Sequence, residues 1–129
     1  MKRGMFFAIL GIVGVLFGLG FLLVPEMTLR MYGVPTEPHN LMQSRYFGSV
    51  LLAFGLIFFL ARDTQDPKAI RALLVGGFVG NVVGAVISAS AAGNLQNGLA
   101  WMSVAIYATF AVGAGYLLLA KPQVEIRSA

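Results

Sequence analysis

The chain has 129 residues, of which 58% are hydrophobic and 11% charged, and its mean hydropathy is +0.83. A soluble surface needs about 25% charged residues, so this composition excludes an ordinary soluble domain and predicts an integral membrane protein. The nine Lys and Arg residues are spread along the sequence, a distribution that is not typical of a nucleic-acid-binding surface.

The side-chain chemistry available to the chain is narrow. It has no cysteine, which excludes thiol–disulfide exchange and iron–sulfur ligation. Its single histidine, His39, cannot form a multi-histidine metal site. No nucleophile with a paired base can be assembled within the apolar runs. We therefore predict a protein that is not an enzyme and that has no catalytic residues, metal or cofactor.

Four apolar runs predict four spans, at about residues 5–24, 41–61, 69–91 and 99–120. The longest connection, residues 25–40, contains three prolines, and residues 27–32 within it are expected to form a short interfacial helix. Polar turns are predicted at residues 62–67 and 92–98. Because these two connections are short, we expect the helices that they join to be antiparallel neighbours in an all-α, up-down four-helix bundle.

Basic residues fall unevenly on the two sides of this topology. One side has only Arg30 and Arg45, and the other side has Lys2, Arg3, Arg62, Lys68, Arg71, Lys121 and Arg127. The positive-inside rule then predicts that both termini and the middle connection are cytoplasmic. We expect a multi-pass protein of a bacterial-type inner membrane.

Small residues at four-residue spacing predict where the helices pack. Lipid tails are as apolar as leucine, so spans associate through close contact at small residues. The residues with this spacing are Gly14 and Gly18 in span one and Gly76, Gly80, Gly84 and Ser88 in span three. We expect both stripes to pack against other helices of this chain, and contact between copies of the chain is the alternative.

Few polar residues lie within the predicted spans, and each costs free energy in hydrocarbon unless it is paired. Arg45 lies about one turn inside span two, on a face with Gly55 that is expected to look inward. Asn81 lies near the middle of span three. In a purely structural interpretation, Arg45 reaches the outer interface and pairs with Glu26 or Glu37, and Asn81 bonds a neighbouring helix.

The alternative interpretation is a binding site at the outer leaflet. Arg45 would cap a cavity and bind a lipid phosphate, a carboxylate or a quinone carbonyl, with Asn81 and Tyr107 as deeper hydrogen-bond partners. Glu26 and Trp101 come to the same end of the predicted bundle. These five residues form the candidate ligand-binding set.

The order of motifs along the chain provides a further indication. In sequence order these motifs are Pro25-Glu26, Tyr32-Gly33, then Arg45, Gly48 and Gly55 in span two, and a glycine- and asparagine-containing span three. This order resembles the DoxX-like superfamily of small four-helix bacterial inner-membrane proteins over nearly the whole chain. The resemblance implies an accessory or quinone-linked role beside membrane redox enzymes. The cysteine pairs of the thiol-oxidising relatives do not occur here.

Two functions are predicted from these patterns. The first is a small non-catalytic membrane protein that acts as an accessory or structural subunit of a larger membrane complex, or that packs against its own copies. The alternative is a binding or transport protein for a lipid-like or quinone-like molecule around Arg45. The two differ in the expected effect of Arg45→Ala, because a structural arginine predicts lost stability and a binding arginine predicts a stable protein without its ligand.

Overall fold

The computed structural model describes residues 2–95 and 98–120, with residues 93–95 described by their backbone alone. Over these ranges the chain forms five helices and no strand, and the helices are α1 (Arg3–Leu23), α2 (Pro25–Met31), α3 (Pro38–Leu60), α4 (Pro67–Leu95) and α5 (Gly98–Leu119). All but α2 are long and apolar enough to cross a membrane. The prediction of an all-α bundle with four spans is confirmed.

Proline and glycine set several helix boundaries. Pro25, Pro38 and Pro67 each begin a helix, because proline lacks only an N–H that would have no partner in the first turn. Gly33 follows α2 with φ of 71°, the left-handed conformation that commonly ends a helix. The short helix expected at residues 27–32 is therefore confirmed, as Pro25–Met31.

The turn predicted at residues 92–98 is wrong over its first part. Helix α4 continues to Leu95, since alanine-rich segments favour helix and a continuing helix keeps its backbone groups bonded away from water. Residues 96 and 97 lie outside the described residues.

Helices α1 and α3 form a pair whose backbones touch at glycines. A Cβ atom built on Gly18 would lie 2.8 Å from the carbonyl oxygen of Gly48, and one built on Gly55 would lie 2.6 Å from that of Gly11. Gly14 lies between Gly11 and Gly18 on α1, and a Cβ built on it would lie 2.9 Å from the Cα of Gly55. Only glycine allows this approach, so the small residues of span one determine the first helix pair.

Helices α4 and α5 form the second pair, in which glycines receive aromatic rings rather than backbone. A Cβ on Gly84 would lie 2.6 Å from Cδ1 of Tyr107, and a Cβ on Gly115 would lie 3.2 Å from Cε2 of Phe78. The two contacts run in opposite directions along the two helices. The pair is therefore antiparallel, as the short connection between α4 and α5 predicts.

The prediction that Gly76 and Gly80 pack against another helix of this chain is wrong. Both residues are exposed, and a Cβ built on either would meet no atom within 4 Å. The inward face of α4 instead carries Gly77, Asn81 and Gly84, with Ser88 partly buried above them. Successive residues of a helix point about 100° apart. Gly76 and Gly80 therefore face outward, although Gly77 and Asn81, each one residue later, face inward.

The two helix pairs are joined by phenylalanines at one end of the bundle. The rings of Phe6 in α1 and Phe110 in α5 lie 6.0 Å apart, edge to face, and join the two pairs. Within the first pair, the ring of Phe7 lies 5.3 Å from that of Phe58 in the same kind of arrangement. The buried core at this end comprises Phe6, Phe7, Leu10, Phe58, Leu74, Phe110 and Ala114. This half of the bundle is thus filled by large side chains.

The short connection between α3 and α4 does not give these helices a close backbone contact. They meet through a side chain, since a Cβ on Gly77 would lie 3.1 Å from Cζ of Phe58. The close partner of α3 is α1, because the glycines of those two helices allow their backbones to touch. The expectation that α3 and α4 are close neighbours is correct only at the level of side-chain contact.

The filled end also carries most of the described basic residues, whereas Arg30 and Arg45 lie toward the other end. The guanidinium of Arg3 donates to the carbonyl oxygen of Thr64 at 3.3 Å, and that of Arg62 lies 4.2 Å from the ring centre of Phe59. Lys68 and Arg71 lie in the first turns of α4, next to the same connection. We call the end of the bundle that carries Arg3, Arg62, Lys68 and Arg71 the basic end. Lys121 and Arg127 lie outside the described residues.

Candidate ligand cavity

A cavity of about 180 Å³ separates the two helix pairs in the half of the bundle away from the basic end. Protein interiors contain few voids larger than a water molecule, and an engineered cavity of about 150 Å³ binds benzene. The lining residues come from all five helices or their ends: Leu10, Val13, Gly14, Phe17, Phe21, Tyr32, Phe47, Leu51, Phe54, Asn81, Ser88, Ala91, Ala100, Ser103, Ile106, Tyr107 and Phe110.

The space arises from a change in side-chain size along the helices. The phenylalanine core fills the basic end, whereas α4 and α5 place Ser88, Ala91, Ala100 and Ser103 at the cavity wall. The opposite wall is formed by aromatic and branched residues of α1 and α3. Small residues on one side and rigid rings on the other leave a gap that neither pair fills.

Asn81 is the most deeply buried polar side chain of the cavity, with 4% of its surface exposed. Its amide Nδ2 donates to the carbonyl oxygen of Gly77 at 2.6 Å, one turn earlier in α4. A carbonyl oxygen accepts and cannot donate, so this bond places the amide nitrogen toward Gly77 and turns Oδ1 away from it. The hydrogen bond that sequence reasoning assigned to a neighbouring helix is therefore made within α4.

Tyr32 and Ser103 close one edge of the cavity. Their hydroxyl oxygens lie 2.7 Å apart, and either can be the donor. The ring of Tyr32 stacks on that of Phe21, with 5.8 Å between centres and 27° between planes. The end of α2 is thus bonded to α5 of the second pair and stacked on α1 of the first.

Helix α2 is held in place by hydroxyl groups that bond backbone carbonyls. Thr28 Oγ1 lies 2.9 Å from the carbonyl oxygens of both Gly20 and Val24. On the facing side, Ser44 of α3 donates to the carbonyl oxygen of Phe21 at 3.1 Å and is buried. These contacts fix the turn between α1 and α2, and so fix Tyr32 over the cavity.

Tyr107 reaches the cavity because α4 has no side chain at Gly84. The ring lies across that glycine, where a Cβ would come within 2.6 Å of both Cδ1 and Cε1. The Tyr107 ring thereby forms part of the wall beside Asn81 and Ile106. Gly84 is therefore a positioning residue for this tyrosine.

Of the five predicted ligand-binding residues, the structure brings two together. Asn81 and Tyr107 line the cavity. Glu26 is exposed and lies 3.9 Å from Arg30 on the same turn of α2, and Trp101 is 55% exposed on the outside of α5. Neither Glu26 nor Trp101 is among the lining residues that the structure describes.

The expectation that Arg45 caps the cavity is wrong. Arg45 is exposed on α3, and the residue that points inward is its neighbour Ser44. The inward face follows Ser44, Gly48 and Gly55, so Arg45 lies about 100° around the helix from it. Within residues 2–95 and 98–120 Arg45 has no ion pair. Glu26 pairs with Arg30, and Glu37 lies 3.5 Å from Nε2 of His39, so the expected pairing of Arg45 with Glu26 or Glu37 is also wrong.

Sequence reasoning missed three polar residues of the cavity, namely Tyr32, Ser88 as a lining residue and Ser103. The four-residue spacing predicts Ser88 only as a helix-packing residue, and no pattern in the sequence gives Ser103 a role. One sequence signal could have found Ser103, because a hydroxyl within an apolar span costs free energy unless it has a partner. The partner, Tyr32, lies in a connection whose path is not specified by periodicity.

The described residues contain no group of three or more His, Cys, Asp or Glu side chains that could hold a metal ion. Comparison of the chain with protein families, with curated proteins and with solved structures finds no match. The cavity and its lining are therefore the basis for assigning a function.

Proposed function

We propose that this multi-pass membrane protein binds a small, neutral, mostly apolar molecule, lipid-like or quinone-like, in the cavity between its helix pairs. The observation that carries the proposal is the lining: aromatic and aliphatic walls around a few uncharged hydrogen-bonding groups. Such a combination is typical of small-molecule sites, in which apolar walls supply affinity and a few polar groups fix orientation.

The charge of the ligand follows from the same lining. The described lining residues include no Lys, Arg, His, Asp or Glu. Burial of an ion without a partner costs several kcal/mol or more, so a charged group would be excluded from the interior. A molecule with a ring or short chain and one or two neutral polar atoms is the class that fits.

A cavity-filling variant tests this proposal. Ala91 lines the cavity on α4, and Ala91→Leu would occupy part of the space, whereas Ala89→Leu on the exposed face of the same helix would not. Native mass spectrometry of protein extracted gently from its own membrane should find a bound small molecule on the parent and on Ala89→Leu. It should find none on Ala91→Leu or on Ala100→Leu, a second filling variant.

Two results would contradict binding at this cavity. One is a parent protein that carries no molecule beyond bulk lipid. The other is a molecule retained equally by both filling variants while thermal unfolding shows that all four proteins are folded. Loss of the molecule from the Ala89→Leu control as well would place the site elsewhere on α4.

A role as accessory subunit of a larger membrane complex is our second proposal. It is supported by the outward position of Gly76 and Gly80, where small residues leave room for close approach by another membrane helix. Gly80→Ile should then remove a co-purifying partner chain that the Ala89→Ile control keeps. Retention of every partner by Gly80→Ile would contradict it.

The membrane and the orientation are proposed on charge. Arg3, Arg62, Lys68 and Arg71 share one end of the bundle, which supports an inner-membrane protein with both termini in the cytoplasm. Cysteine accessibility at an introduced Asp63→Cys, compared with Glu37→Cys, tests this orientation. Membership of the DoxX-like superfamily stays a prediction.

A further inference from the structure

We propose that Asn81 makes the cavity selective for a ligand that donates a hydrogen bond, such as a ring hydroxyl, over one that offers only a carbonyl or ether oxygen. The inference rests on the proposed function, because it concerns the ligand of that same cavity. It names the chemical class of the polar group and the residue that recognises it.

The first step is the orientation of the Asn81 amide. Its Nδ2 is bonded to the carbonyl oxygen of Gly77 at 2.6 Å, and that partner requires a donor, so the amide cannot be reversed without losing the bond. The acceptor, Oδ1, is thereby held on the side of the amide away from Gly77. The hydrogen bond from Asn81 to the Gly77 carbonyl, within the same helix, thus determines that Oδ1 and not Nδ2 is available to a ligand.

The second step is the state of that acceptor. Asn81 is 96% buried, and no described residue donates to Oδ1. The only completely enclosed side-chain polar atom without a partner in the described part of the chain is Nε of Arg3. Because Asn81 Oδ1 is not such an enclosed atom, part of its surface is open to a space inside the bundle. That space is the cavity, since Asn81 is one of its lining residues.

The third step is that the other polar groups of the cavity do not compete for this role. The hydroxyls of Tyr32 and Ser103 are bonded to each other; the accepting hydroxyl keeps its own proton and a lone pair, so this pair can still donate or accept and does not discriminate. The hydroxyls of Tyr107 and Ser88, which also line the cavity, can each donate or accept and likewise do not discriminate. A buried acceptor without a donor costs free energy, and a ligand that supplies the donor removes that cost. Asn81 Oδ1 is the group that would distinguish donors from acceptors.

Three probes of nearly equal size separate these chemistries. 4-Fluorophenol has a donor, 4-fluoroanisole keeps the oxygen without the donor, and 4-fluorotoluene has neither. Binding to the full-length protein in lipid nanodiscs can be followed by fluorine NMR titration. We expect 4-fluorophenol to bind the parent about tenfold more tightly than the other two, the factor expected from one buried hydrogen bond.

The variant Asn81→Leu should reduce the preference for 4-fluorophenol to about twofold or less while 4-fluorotoluene binding is kept. The fold should tolerate the change, because the Gly77 carbonyl keeps its helical backbone partner. Thr109→Val is the matched control: Thr109 makes the same kind of back-bond, to the carbonyl oxygen of Ala105 at 2.7 Å, on the exposed side of α5. It should keep the full preference. Comparing ratios between variants cancels the different partition of the probes into lipid.

The outcomes separate the inference from the function on which it rests. Equal binding of 4-fluorophenol and 4-fluoroanisole by the parent would overturn the donor selectivity and leave the binding function standing. A preference that survives in Asn81→Leu would overturn the role of Asn81. Absence of saturable binding by all three probes would overturn both proposals. If Asn81→Leu unfolds, the comparison among the three probes on the parent still decides the selectivity.

Discussion

The hydroxyl groups of Tyr32 and Ser103, 71 positions apart in the sequence, meet at 2.7 Å across one edge of the cavity. This side-chain hydrogen bond links the first helix pair and α2 to the second pair. It connects the two halves of the bundle at the end where the phenylalanine core does not reach. The bond therefore holds the end of α2 against α5 at the edge of the cavity.

We predict that removal of either hydroxyl loosens α2 without unfolding the spans. Tyr32→Phe keeps the stacking on Phe21 and leaves the Ser103 hydroxyl free, and Ser103→Ala does the converse. Each change should destabilise by about 0.5–1.5 kcal/mol, and the double variant should cost less than the sum, since both changes break the same bond. Thermal unfolding of the four proteins in one detergent gives the coupling.

Hydrogen exchange provides the structural readout for the same variants. Amides of α2 should exchange faster in Tyr32→Phe, while those in the middle of α1 and α3 stay protected. Additive effects on unfolding, or unchanged exchange in α2, would mean that this hydrogen bond does not hold the end of α2 on α5.

Gly84 and Gly80 form a matched pair one turn apart on α4. Gly84→Ala should force the Tyr107 ring from its place, because a Cβ would lie 2.6 Å from two ring atoms, and overpacking of this kind costs about 1–3 kcal/mol. Gly80→Ala meets no atom within 4 Å and should be neutral or stabilising by up to about 1 kcal/mol through helix propensity. Tyrosine fluorescence and thermal unfolding measure both effects. Equal effects of the two changes would contradict the position of Tyr107.

The architecture follows from the sequence more completely than the site does. Length and hydropathy of the apolar runs are properties of each segment alone, so the four spans could be read from the sequence. The rotation of each helix could not, because glycines are too common in spans to specify one face. The stripe containing Gly76 and Gly80 satisfied the spacing rule, yet the inward face is set by Gly77 and Asn81.

The candidate site illustrates the same limit. Asn81 and Tyr107 could be selected because each is a polar residue within an apolar run. Asn81 and Tyr107 come together because Gly84 has no side chain, which lets the Tyr107 ring lie against α4. Arg45 was selected by the same rule of polarity, but a long side chain with a charged end is stable on the outside of a span, where it extends to the interface. Polarity alone therefore does not separate a lining residue from a surface one.

Arg45→Ala should leave both stability and cavity binding almost unchanged. Arg45 is exposed and has no ion pair among the described residues, and surface changes of this kind are usually within about 0.5 kcal/mol. Thermal unfolding and the 4-fluorophenol titration measure the two quantities. Loss of binding in a folded variant would show that Arg45 belongs to the binding site, and a large loss of stability would show that it has a structural role.

The tight backbone packing of α1 against α3 at Gly55 gives the strongest predicted effect on stability. Gly55→Ala places a Cβ 2.6 Å from the carbonyl oxygen of Gly11. A backbone atom cannot move aside as a flexible side chain can, so the two helices must separate along their length. We expect a loss of at least about 1–3 kcal/mol, the cost of overpacking.

The control for this change is Gly76→Ala, which adds the same methyl group to a span at a position with no atom within 4 Å. It should unfold at the parent's temperature or slightly above it, while Gly55→Ala unfolds at a clearly lower one. If Gly55→Ala matches Gly76→Ala in stability, the backbone contact between α1 and α3 is looser than described, and the first helix pair does not depend on glycine.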